Sequence, residues 1–150
     1  VRARLLEQAA GHRTFFLAFD KDDDVEPTLL RFATEQNIVA AELRGIGGFS
    51  TVTLAYFERS SLEYEPIPLH EQVEVVAITG NIARVAGDGD EDKAGQLKLH
   101  AHVVIGRRDG SAMAGHLVAA RVWPTMEVFL TAYAEALERK TDRETGLPLL

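Results

Sequence analysis

The chain has 150 residues, with 16 Lys and Arg against 23 Asp and Glu, a formal charge of −7, five His, five Pro and no Cys. That length fits one domain of roughly 100–200 residues, and 46% hydrophobic content fits a single globular core. The absence of cysteine excludes disulfides, thiolate zinc ribbons and cysteine nucleophiles, so any metal must be held by His, Asp or Glu. The acidic balance argues against a broad non-specific nucleic-acid surface, which works by Lys and Arg displacing counterions. No apolar run approaches ~18 residues and no signal-peptide pattern stands out, so neither a membrane span nor a secreted protein is expected. With no cysteine, the expected compartment is the cytoplasm.

No internal repeat or low-complexity linker divides the chain, and residues 1–12 read as an N-terminal extension. Arg13 to Asp20 (RTFFLAFD) reads as a strand, followed by the acidic turn Lys21-Asp22-Asp23-Asp24. A helix is predicted from there to about Asn37, with Leu29, Phe32, Ala33 and Gln36 on one face and Pro27 in its first turn. The preceding acids suit the positive end of its dipole. Strands follow at Ile38 to Gly45 and Phe49 to Glu58, separated by Gly45-Ile46-Gly47-Gly48, a place for a bulge or close backbone approach.

Ser60 to His70, with Pro66 and Pro68, reads as a loop with an edge strand. Another strand region runs from Glu71 to Val85, interrupted at Gly80-Asn81, and Gly87 to Lys93 (GDGDEDK) reads as a solvated loop. Gln96 to Arg107 and Ser111 to Val122 are predicted strands, with a third from Thr125 to Tyr133 after Pro124. Ala134 onward reads as a short C-terminal helix, and 141–150 as an irregular tail. One early helix and many strands predict a single α+β domain: a mainly antiparallel β-sheet with one principal helix packed on it.

The most informative segment is Leu99-His100-Ala101-His102, answered after a turn by Gly115-His116-Leu117. Side chains alternate on a strand, so Gln96, Lys98, His100 and His102 share one face while Leu99, Ala101, Val103 and Ile105 form an apolar row on the other. His100 and His102 lie about 6.5–7 Å apart at the backbone, close enough for both rings to reach one cation at ~2.0–2.1 Å. The hairpin register decides whether His116 joins them. A two-residue Asp109-Gly110 loop would place His116 opposite Val103, on the wrong face. A three-residue loop with Gly110 left-handed would place His116 opposite His102 and Val118 opposite His100, and the x-Asp-Gly sequence favours this one. Three neutral imidazoles with open positions describe a site for zinc or another divalent metal.

Other features carry less. Glu127 is a candidate acceptor for a histidine N–H or a general base beside a metal, against the plainer reading of a solvent-facing or interface carboxylate. Asn81 after Gly80 is either a pocket amide or a turn residue. His70 and His12 read as surface residues, and Arg107 and Arg108 as an anion contact or a solubilising turn. Asp22, Asp23 and Asp24, like Asp88, Asp90 and Asp92, lack the spacing of a calcium loop. No phosphate loop, nucleophile elbow or dinucleotide fingerprint is present.

Leu99 to Leu117 (LHAHVVIGRRDGSAMAGHL) resembles the signature of the plant and prokaryote conserved (PPC) domain family. So do Gly45-Ile46-Gly47-Gly48, Leu54-Ala55-Tyr56-Phe57, Glu74 to Asn81 (EVVAITGN) and Pro124-Thr125-Met126-Glu127-Val128, which together span nearly the whole chain. The resemblance implies a compact homotrimeric α+β domain in which His100, His102 and His116 form the recurrent polar cluster, with some prokaryotic members binding metal there. Plant members add an Arg-Gly-Arg-Pro arm for the minor groove. No such arm occurs here, and Ala114 stands where the family often has a second glycine. The leading expectation is a homotrimeric binding or regulatory module with a three-histidine metal or ligand pocket, zinc first among the metals, and a small molecule or anion as partner. The alternatives are a metal-dependent enzyme acting on a small molecule and, by family analogy, a DNA-associated scaffold.

Overall fold

A computed structural model describes residues 1–87 and 94–150. The solvated-loop reading of 87–93, with Asp88, Asp90 and Asp92, therefore lies outside the described residues except at Gly87. Arg2–Ala9 (β1) and His12–Phe19 (β2) lead into one helix, Val25–Glu35 (α1). Ala40–Glu58 (β3), Glu63–Leu69 (β4), Val73–Val85 (β5), Leu97–Gly106 (β6) and Ala112–Tyr133 (β7) follow. Two short strands, Glu138–Thr141 (β8) and Pro148–Leu149 (β9), finish the chain. No helix among the described residues is long and apolar enough to cross a membrane.

Alternation along the strands builds the core. Leu43 on β3, Ile78 and Ile82 on β5, Ala101 and Val103 on β6, and Val128 and Leu130 on β7 all point inward and are buried. The helix closes this core with Val25, Leu29, Phe32 and Ala33, and Phe32 meets Phe15 of β2 edge-on at 5.2 Å between ring centres. It ends two residues before the predicted stop, where Asn37 takes a left-handed φ of 53°. All long strand pairings are antiparallel, and β6 bridges β5 and β7, closing a ring β3–β5–β6–β7.

Several expectations need correction. The predicted C-terminal helix is absent: β8 instead pairs parallel with β5, Arg84 N donating to Leu137 O and Ala86 N to Arg139 O, both at 2.9 Å. A segment this short is far below the ~12–15 residues that an isolated helix needs, so the open β5 edge decides its conformation. The segment read as an extension holds β1, hairpinned to β2 through Ala10 and Gly11, both at positive φ. Ala-Gly is a weak turn signal beside Asn-Gly, which hid this hairpin. The two strands on either side of the glycine run are one continuous β3, the two around Pro124 are one β7, and β5 runs unbroken through Gly80 and Asn81, which pair with Ala101 and His100 of β6. Pro124 is accommodated where the β3–β7 register shifts between Gly47 and Phe49, so its missing N–H breaks no regular ladder.

Candidate metal centre

The hairpin joining β6 to β7 has the three-residue loop. Arg107 N donates to Ser111 O at 2.8 Å, and Gly110 sits at φ +83°. His102 is therefore the cross-strand partner of His116. His100 follows two residues away on the same face, so all three rings converge. Ring centres are 5.2 Å apart for His100–His102, 5.3 Å for His100–His116 and 5.5 Å for His102–His116. One nitrogen from each ring can be chosen so that all three lie within 4.8 Å of one another.

The surroundings make these histidines good ligands. Tyr64 of β4 stacks on His116 at 4.7 Å, and Nδ1 of His116 is buried with no hydrogen-bond partner. A buried nitrogen left unpaired is costly, and a metal ion would satisfy it. Burial, reinforced by positive charge at His100, His102 and Lys98, pushes the His116 imidazole down to about 4. Burial also holds His100 below the usual imidazole range, with smaller contributions from Arg139, His102 and Lys98. His116 is thus neutral at physiological pH and has no proton to surrender to an incoming ion. With no thiolate and no carboxylate in the set, three imidazoles suit zinc or another borderline divalent ion.

The ligand triad sits on rigid sheet, and its precision depends on close strand contact. His100 is the cross-strand partner of Asn81, next to Gly80. A Cβ at Gly80 would lie 2.4 Å from His100 O and 2.8 Å from Ala101 Cα, both backbone atoms that cannot swing aside. Gly80→Ala should therefore push β6 off β5 at the metal ligands and destabilise the protein by about 1–3 kcal/mol, as urea denaturation would measure. An unchanged midpoint would contradict this contact.

The remaining candidates fall elsewhere. Glu127 is exposed on β7 and does not join the three-histidine group. Asn81 does reach the site's border, where its side-chain oxygen accepts a hydrogen bond from Arg139. His70 is exposed, and His12 pairs with Tyr133 at the far end of β2. Asp22 and Asp23 are engaged by Arg121 and the Val1 amino group, and Arg107 binds Glu71 at 2.7 Å. Two neighbours of the triad had no local signal: Tyr64, which comes from the edge strand, and Arg139, which lay in the predicted helix.

Comparison with known proteins agrees with this architecture. A metal-containing protein from Archaeoglobus fulgidus is 29% identical, with a TM-score of 0.82 over 95% of each chain. A plant- and prokaryote-conserved protein from Pyrococcus horikoshii is 27% identical, with a TM-score of 0.81 over 92% of this chain and 91% of that one. A candidate DNA-binding protein from Bacteroides thetaiotaomicron is 26% identical, with a TM-score of 0.82 over 95% and 93%. A search of curated protein sequences finds no match. The sequence profile of the Plants and Prokaryotes Conserved domain, abbreviated PCC or PPC, matches residues 6–134. Spanning most of the chain, that match shows that the protein belongs to the Plants and Prokaryotes Conserved domain family.

Proposed function

We propose that this chain is a divalent-metal-binding domain acting as a binding or regulatory module, with His100, His102 and His116 as the protein ligands and zinc as the preferred ion. The observation that carries this reading is the convergence of three imidazole nitrogens within 4.8 Å, one ring holding a buried nitrogen without a partner. The metal-containing relative from Archaeoglobus fulgidus supports it. A bound ion of this kind would offer Lewis acidity to a water or small ligand in its open position. A binding role is favoured over catalysis because, among the described residues, no carboxylate joins the cluster to act as acid or base. The charge of −7 favours a metal or small-molecule partner over DNA, and the lack of cysteine accords with a cytoplasmic setting.

Elemental analysis of protein purified without a histidine tag should find about one zinc-like ion per chain. Finding the same stoichiometry after all three histidines are replaced by alanine would refute the ligand assignment. The homotrimer is part of the same proposal. Ile46, Val104 and Phe129 are exposed on the sheet face that carries the histidines, apolar surface that self-association would cover. Light scattering should return about three times the 16.5 kDa chain mass, and a monomer at micromolar concentration would contradict it.

A further inference from the structure

The least expected residue near the triad is Arg139. It is only 3% exposed although its guanidinium is permanently charged. One Nη donates to the Asn81 side chain and the other to Pro148 O at 3.3 Å. Its Nε is buried and has no partner. Among the described residues no carboxylate lies within ion-pair distance of it. A buried cation is ordinarily paired, because removing it from water without a counter-charge is expensive.

The guanidinium lies beside the metal ligands. Asn81, which accepts from it, is the cross-strand partner of His100. A cavity of about 60 Å³ is bordered by Tyr64, Lys98, His100, His116, Arg139 and Leu149, with no acidic side chain in its wall. A water needs about 10–15 Å³ of such space, so the cavity has room for a small polyatomic group. Two cations and no acidic side chain in the wall select a small anion, and the planar guanidinium selects a carboxylate.

We propose that Arg139 and the three-histidine centre form one composite site that takes a small carboxylate between the bound metal and the guanidinium. This rests on the metal-binding reading above and goes beyond it by naming the ligand class and its second anchor. Arg139 lies in the segment after residue 134, past the end of the family match, so the carboxylate anchor comes from the C-terminal hairpin β8–β9.

The test uses cobalt(II)-loaded protein titrated with acetate, followed by the visible absorption of the metal. The wild type should show a saturable spectral change. Arg139→Met should keep one cobalt per chain but bind acetate about 10–100-fold more weakly, as loss of a charge-assisted hydrogen bond implies. Arg139→Lys should fall between the two. If Arg139→Met does not fold, Lys98→Gln replaces an exposed cation of the same cavity and should still weaken acetate severalfold. Equal acetate affinity in wild type and variants, or no acetate response from a wild type that holds its cobalt, overturns this inference and leaves the metal reading intact. A wild type that takes up no cobalt overturns both.

Discussion

His116→Ala should abolish stoichiometric metal binding, weakening affinity at least ~100-fold, because losing an outer-shell partner alone typically costs 10–100-fold and this is a direct ligand. The change also removes the ring on which Tyr64 stacks and, with it, a buried nitrogen that lacks a hydrogen-bond partner. The fold should survive, since the core row of β7 begins at the neighbouring inward residue Leu117 and continues through Ala120 and Val122. Competition with a chromophoric chelator measures the affinity, and circular dichroism checks the fold. A folded His116→Ala protein that keeps one tightly held ion would remove His116 from the ligand set and leave His100 and His102 to be explained otherwise.

Metal-free protein should lose stability on acidification between about pH 6.5 and pH 4. His116 titrates near 4 when folded, chiefly because of burial, against an ordinary value of 6.5 in the unfolded chain. Within that window the unfolded chain binds a proton that the folded protein does not, so falling pH favours unfolding. The stability tied to the neutral ring is fully present above pH 6.5 and is gone once the pH drops below about 4. Discounted for partial solvent screening, the effect is about 1–2 kcal/mol, with His100 adding in the same direction. Urea denaturation as a function of pH measures it. His116→Asn, which cannot titrate, should flatten the curve, and a slope identical to that of the wild type would show that the ring is not the source. The loaded protein should show a steeper loss in the same window, because protons and metal compete for the same nitrogens.

The β6–β7 hairpin shows how far a local pattern can reach. Strand alternation puts His100 and His102 on one face, and Arg108-Asp109-Gly110 has the chemistry of a three-residue turn with a left-handed glycine. Those two local rules are enough to bring His116 opposite His102, where the structure places it. The same locality made α1 and the core faces of β5, β6 and β7 readable, since each rests on a repeat of two or 3.6 residues within its own segment. Glu127 shows the limit. Its place after a strand-like proline motif left open either a role beside the histidines or a plain surface carboxylate, and the structure leaves it exposed and outside the three-histidine group.

What the amino-acid order determined by itself was the domain's class, the principal helix α1, the inward and outward faces of the strands, and the convergence of three histidines across one short turn. Each depends on contacts close in sequence or on a strict side-chain period. Tertiary structure alone decided that residues after Ala134 form strands, that the edge strand β4 brings Tyr64 onto His116, and that Arg139 is buried against Asn81 at the border of the triad. Those contacts join distant segments whose local preferences are weak, so the free β5 edge and the hollow beside the histidines, rather than propensity, settle where they go.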